Sequence, residues 1–217
     1  MFYNPSQYVC NDFYRVDQMN SYARILNASP NSPPIDVYLD DKLIAKNIAY
    51  KEFSKYLIFP KGNNNIKVYP TGQNVNPIID SPIALPPGFV YNIAAIGYFP
   101  NIILYPIPEP TTPQNFNRAC VRLINLSPNS PPLDIRVQDG TKIFSSVKYE
   151  DYTTYACIPP GTYTFRVIAT GTNNVLFTIP DVQLMPNKYY AIYTVGVAGG
   201  SPPLEAFIIE EVPPIPR

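Results

Sequence analysis

The chain has 217 residues, 16 Lys+Arg against 16 Asp+Glu, and no histidine. Balanced charge without a long basic run argues against a nucleic-acid footprint or a polybasic membrane patch, and the lack of histidine removes the usual Ser-His-Asp, Cys-His and histidine–metal chemistries. Proline, at 27 residues, excludes long helices, because an interior proline costs about 3 kcal/mol and removes a hydrogen-bond donor.

Residues 1–20 read as an N-terminal arm. It has neither the basic start nor the apolar centre of a signal peptide, and the chain holds no apolar run of membrane-spanning length. The arm carries five aromatic residues, Phe2, Tyr3, Tyr8, Phe13 and Tyr14, and one cysteine, Cys10. An apolar arm on a chain that is only 15% charged calls for a docking surface, on its own first domain or on a neighbour. Its spacing allows a short helix through Val9, Phe13 and Val16 or an added strand.

Beyond the arm the chain repeats itself. LNASPNSPPIDV (residues 26–37) and INLSPNSPPLDI (residues 124–135) are identical at eight of twelve positions. The match continues in YKEFSKYLIFPKG over YEDYTTYACIPPG and in YNIAAIGY over YAIYTVGV, at an offset of 99 residues. Dispersed identity at a fixed period marks a duplicated domain. In each copy short runs alternate apolar and polar, as in Ile35, Val37 and Leu39 against Asp36, Tyr38 and Asp40, which predicts strands with one buried and one wet face. Pro-Lys-Gly and Pro-Pro-Gly turns separate the runs. The predicted fold is all-β: two tandem immunoglobulin-like antiparallel β-sandwich domains at residues 21–108 and 119–212, a Pro-rich linker at 109–118 and a Pro-rich tail at 213–217. Each SPNSPP segment holds three prolines in six residues, cannot pair within a central ladder, and is read as a rigid corner.

Chemistry-bearing residues are few. No phosphate-binding loop, dinucleotide fingerprint or nucleophile elbow is present, so no catalytic, cofactor or metal residue is assigned. Asp36 and Asp134 are equivalent: a strand-borne carboxylate suits a cation, but the favoured reading is an outward residue accepting backbone hydrogen bonds from its corner. Arg24 and Arg122 are equivalent, as are Glu52 and Asp151, and an Arg–carboxylate pair inside each domain would be structural. Cys120 and Cys157 replace Tyr22 and Ile58 of the first copy. An intradomain Cys120–Cys157 bridge, a crosslink from Cys10 to another subunit, and buried reduced thiols all remain open.

The pattern Asn-x-Ser-Pro-x-Ser-Pro-x-[Ile/Leu]-Asp-[Val/Ile], followed by Tyr…Tyr-x-x-Ile/Phe-Pro-x-Gly and a strand ending in glycine, resembles the bacterial DUF4397 domain, here present twice over most of the chain. Where the family commonly has Asp-Ala-Pro, this chain has Asn-Ser-Pro, at residues 31–33 and 129–131. The resemblance implies tandem β-sandwiches on secreted or envelope proteins and no defined reaction; the missing export signal departs from that pattern. The expectation is a non-enzymatic structural or surface protein. It would be a self-assembling spore-coat or spore-appendage (fibre) subunit that uses its arm and Cys10 between subunits, with itself as partner in a homo-oligomer or filament. The alternative is a surface adhesin for glycan or protein. Spore or cell surface is the expected location, with cytoplasm as the alternative.

Overall fold

The computed structural model describes residues 20–112 and 116–211. The first repeat forms β1 (Asn20–Asn27), β2 (Ile35–Leu39), β3 (Lys42–Ile48), β4 (Leu57–Pro60), β5 (Asn64–Pro70), β6 (Ile79–Ile83), β7 (Val90–Tyr98) and β8 (Asn101–Glu109). The second forms β9 (Ala119–Asn125), β10 (Leu133–Arg136), β11 (Lys142–Val147), β12 (Asp151–Tyr152), β13 (Ala156–Ile158), β14 (Gly161–Ala169), β15 (Val175–Leu184), β16 (Lys188–Val195) and β17 (Glu205–Glu210). Among the described residues there is no helix, as the proline content requires. The N-terminal arm with Phe2, Tyr3, Tyr8, Cys10, Phe13 and Tyr14 lies outside the described residues, as does the tail from residue 212 onward.

Each repeat builds two sheets. In the first the orders are β4-β1-β7-β8 and β3-β2-β5-β6; in the second they are β12-β9-β16-β17, with β13 also on β9, and β11-β10-β14-β15. Most pairs are antiparallel, but β1 runs parallel to β7 and β9 parallel to β16. The first strand and the strand near the end of each unit thus meet at the centre of one sheet, which the antiparallel expectation did not contain. Strand β8 also runs through Glu109, one residue into the segment read as linker.

Alternation explains the two sandwich cores. Ile35, Val37, Ile66 and Val68 of one sheet face Ala23, Ile25, Ile93 and Ala95 of the other. Leu133, Ile135, Phe165 and Val167 face Val121, Leu123, Tyr190 and Ile192 in the second unit. Each such side chain contributes about 1.5–3 kcal/mol when fully buried.

Strands β7, β9 and β16 do not alternate in burial; every residue of β9 is buried. The reason is a third core between the units. The far faces of β1, β7 and β8, with Leu26, Ala94, Ile96 and Ile107, pack on those of β9, β16 and β17, with Ile124, Ala191 and Tyr193 among their residues. The molecule is therefore four sheets deep. Ile107, near the end of the first repeat, is fully buried in this seam.

The SPNSPP corners lie at one end of these layers. Asn27 donates to the carbonyl of Ile48 at 3.2 Å and Ser29 to that of Gly97 at 2.7 Å. Asn125 and Ser127 do the same to Val147 at 3.2 Å and Gly196 at 2.7 Å. Prolines cannot donate, but the carbonyls of Pro34 and Pro132 accept from Thr71 and Thr170 at 2.8 and 2.9 Å. The corner is thus stitched to two other segments by the motif's own side chains and to a third by a proline carbonyl. Glycine is required at the Ser127 contact: Gly196 has φ of 86° and a Cβ there would lie 2.1 Å from the Pro203 carbonyl oxygen.

Asp36 and Asp134 are not outward residues; they are 3% and 1% exposed. Asp36 accepts from the amides of Asn47 and Gly72 at 2.7 and 3.1 Å and from the Thr71 hydroxyl at 2.9 Å. Asp134 accepts from the Ser146 amide at 2.9 Å and the Thr170 hydroxyl at 2.6 Å, and pairs with Lys142 at 2.6 Å. Asn47 and Ser146 have φ of 55° and 57° and sit where the β2–β3 and β10–β11 registers slip. Each aspartate therefore anchors a β-bulge, and its oxygens are occupied by protein donors.

Burial opposes ionisation of Asp134, yet Lys142, Thr170 and Ser146 hold its carboxyl down at about 2. A folded value below the unfolded one gives stability that is complete above the unfolded value near 3.8 and lost as pH falls toward 2. Asp134→Asn is expected to cost on the order of 1–2 kcal/mol at neutral pH. In urea titrations against pH, the gap between variant and wild type should close between about pH 4 and 2; a gap of constant size would mean that the charge is not what matters.

Candidate functional site

Three features stand apart from the sandwich cores: a polar lock in the seam, a disulfide, and an open groove. The lock contains the two repeat-matched arginines. Arg24 binds Glu109 through Nε at 3.0 Å and Nη2 at 2.6 Å. Arg122 binds Glu211 through Nε at 3.0 Å and through a short Nη2 contact. Tyr56 donates to Glu109 and Tyr155 to Glu211, both through short hydrogen bonds. Arg24 also lies 4.5 Å from the centre of the Phe53 ring, and Arg122 5.1 Å from that of Tyr155, both within cation–π range.

Sequence reading paired these arginines with Glu52 and Asp151, but those carboxylates cap turns instead, accepting from the amides of Ala49 and Lys148. The true partners were missed because Glu109 had been given to the linker. The available signal was positional: each repeat ends in an apolar run followed by a glutamate, Glu109 or Glu211.

Burial pushes Glu109 above the usual carboxylate range against the pull of Arg24, and the negative charge of Glu211 in the other unit pushes the same way. Burial works against the Arg122 charge, but Glu211 and Tyr155 more than restore it and its value is raised. Both carboxylates are saturated by arginine and tyrosine donors. The arrangement thus acts as a structural lock rather than a general acid–base pair.

Around the lock the seam is reciprocal. Phe53 of the first unit stands 6.2 Å from Phe207 of the second. Their repeat equivalents, Tyr152 of the second unit and Tyr105 of the first, stand 6.3 Å apart. Such exchange of equivalent contacts is the mark of an approximate two-fold. The copies have diverged to fit each other at its centre. Tyr193 fills the space across from Asn92, whose Nδ2 donates to its hydroxyl at 2.7 Å, while the equivalents of these two residues are both alanine, Ala94 and Ala191.

A disulfide joins Cys120 of β9 to Cys157 of β13, directly opposed across the two strands. The first unit has Tyr22 and Ile58 at the same pairing position.

The groove lies in the first unit, where the sandwich is open between the edge strands β6 and β8. Its volume is about 500 Å³, and its walls include Ile78, Asp80, Ile83 and Leu85 on one side and Ile103 and Pro106 on the other. In the second unit, Phe177 and Ile179 stand opposite Val167 and Phe165 and pack against that unit's core, where the first unit has Ile79 and Ser81 opposite Val68 and Ile66. Exchange of the ring for Ile79 and of the isoleucine for Ser81 leaves the first sandwich less filled along this edge.

With this geometry in hand, comparison with known proteins is informative at the level of family. The model of the family described as "Domain of unknown function (DUF4397)" matches residues 21–136 and 127–216. The chain belongs to the DUF4397 family. The two matches overlap at residues 127–136, and the first runs past the first unit through β9 and β10 of the second. No curated protein matches the chain. Among solved structures, the family 26 carbohydrate-binding module CBMbc of Eubacterium rectale Amy13K, in complex with maltoheptaose, is 9% identical with a TM-score of 0.28, over 90% of this chain and 98% of that one. The Bacillus anthracis TIE protein is 11% identical with a TM-score of 0.26, over 86% of this chain and 34% of that one, so the chain spans about a third of its length. Likeness at these scores carries no argument about what this chain binds. Among the described residues no cluster of metal-ligating side chains occurs, and no helix is long and apolar enough to cross a membrane.

Proposed function

We propose that this DUF4397 chain is a non-catalytic structural module of an oxidising surface environment, joined to another chain through Cys10. The observation that carries the proposal is the Cys120–Cys157 bridge. A bridge in a 217-residue chain fits an extracytoplasmic or cell-surface setting. It also uses two of the three cysteines, so Cys10 in the arm is the remaining thiol. The four-layer body supports a structural role, since its third core ties the two sandwiches together instead of leaving them as beads on a linker. A spore coat or spore appendage is a setting that such a module would suit. One thiol per chain links copies only in pairs, so any layer or fibre would add a non-covalent contact.

The adhesin alternative receives less support. The groove walls are mainly isoleucine, leucine, alanine and proline, with no aromatic ring to stack on a sugar.

The proposal is tested on the full chain under oxidising conditions. Wild type is expected to run as a covalent dimer on a non-reducing gel and as a monomer after reductant, and Cys10→Ser as a monomer in both. A wild-type chain that stays monomeric under oxidation would remove the Cys10 junction from the proposal.

A further inference from the structure

We propose that the groove between β6 and β8 is the seat of the chain's own N-terminal arm, entered by the rings of Phe13 and Tyr14. This goes beyond the Cys10 junction and does not depend on it.

The point at which the described chain begins favours this occupant. The Asn20 carbonyl accepts from the Gly88 amide at 2.9 Å. The Ser21 hydroxyl donates to the Pro86 carbonyl at 2.6 Å and lies 3.4 Å from that of Leu85. Leu85 is part of the groove wall. The arm therefore joins the body beside one end of the groove. Strand β8 ends at that level too, since β1 and β7 pair at Tyr22 and Val90, and Val90 pairs with Glu109. From Glu109 back to Ile103 is about 20 Å of strand, and the seven residue steps from Phe13 to Asn20 extend up to about 24 Å. The tether is long enough to bring the rings to the groove. A tether this short gives an effective concentration on the order of millimolar, which favours the arm of the same chain over that of a second copy.

The chemistry matches as well. Ile83 and Leu104, on the groove walls, are only partly buried, and the groove is on the scale of sites that bury small organic groups. In the second unit the equivalent edge is filled by an aromatic ring and an isoleucine from within the unit, Phe177 and Ile179. Phe13 and Tyr14 would supply from the arm what Ile79 and Ser81 do not supply from β6. Three prolines on the rims, Pro82, Pro106 and Pro108, lack amide donors, which disfavours extension of either sheet by another strand. The mode is insertion of side chains between the sheets, not strand addition.

The chain contains no tryptophan, so Phe13→Trp in the full-length Cys10→Ser background gives one reporter. Its emission is expected to be blue-shifted and protected from acrylamide, and unchanged across dilution of a species that sediments as a monomer. Ile79→Phe with Ser81→Ile, which copies the second unit's filling, is expected to displace the reporter, with a red shift and full quenching while the fold is retained. Red, fully quenched emission in the parent would overturn the proposal. Blue emission indifferent to the filled groove would place the ring elsewhere and overturn it, and blue emission lost on dilution would assign the groove to a second copy's arm and overturn the assignment in cis. The Cys10 junction is read separately on gels, so failure of either leaves the other standing.

Discussion

Glu211→Ala is expected to destabilise the chain by about 3–5 kcal/mol, the cost of leaving one partner of a buried ion pair without the other. Glu211 is 2% exposed and Arg122 3% exposed. Removal of the carboxylate strands the guanidinium in the seam, together with the Tyr155 hydroxyl that the same carboxylate accepts. In a domain of this size the loss corresponds to a fall in Tm of roughly 6–20 °C. The surface pair Lys51–Glu205, whose side chains are 39% and 36% exposed, gives the internal control, with Lys51→Ala expected to cost less than about 1 kcal/mol. Arg122→Met combined with Glu211→Leu should recover much of the loss, since an apolar pair of similar volume removes both desolvation costs. Equal small effects for Glu211→Ala and Lys51→Ala in urea denaturation would show that the lock contributes nothing beyond a surface bridge.

The second large effect belongs to the disulfide. The bridge closes a sequence separation of 37 residues. In the chain-entropy description its removal costs about 3–4 kcal/mol, or roughly 6–16 °C in Tm. The Cys120→Ala, Cys157→Ala double variant is therefore expected to melt well below wild type under oxidising conditions. Reduction of the wild type should lower its Tm toward that of the variant, while the variant itself should not respond to reductant. The first unit holds the same strand pair with Tyr22 and Ile58, so the second is expected to fold without the bridge, only less stably. A double variant as stable as wild type would leave the crosslink with no structural role.

Legibility from sequence followed the number of faces a strand buries. The outer strands β2 and β10 bury one face in a sandwich core, and their alternation was readable. Strands β7, β9 and β16 bury both faces, and their near-continuous apolar runs carry no period that separates a sandwich core from a seam. The third core was therefore invisible even though every residue in it was known. The SPNSPP corners were recognisable because three prolines leave few options, but the bonds from Asn27 and Ser29 to strands far along the chain depend on topology. Asp36 and Asp134 were misplaced for a related reason: alternation assigns a side chain to a face but does not reveal that a bulge on the neighbouring strand covers it. Glu109 was lost to boundary placement, since a glutamate followed by proline reads as linker until Arg24 is seen to need a partner, and without Glu109 there was no repeat match to draw attention to Glu211. The groove depends on a difference between the copies, Ile79 and Ser81 against Phe177 and Ile179, that a gapless repeat alignment displaces by one residue and that acquires meaning only when β6 and β8 are known to be edges.

The central claim is that the two repeats form one body through a shared third core. Calorimetry of the oxidised full-length chain tests it most directly, because packed units that share a core unfold together whereas linked beads unfold singly. A single transition whose van't Hoff and calorimetric enthalpies agree is the expected result, and two separable transitions, with Glu211→Ala moving only one of them, would contradict it.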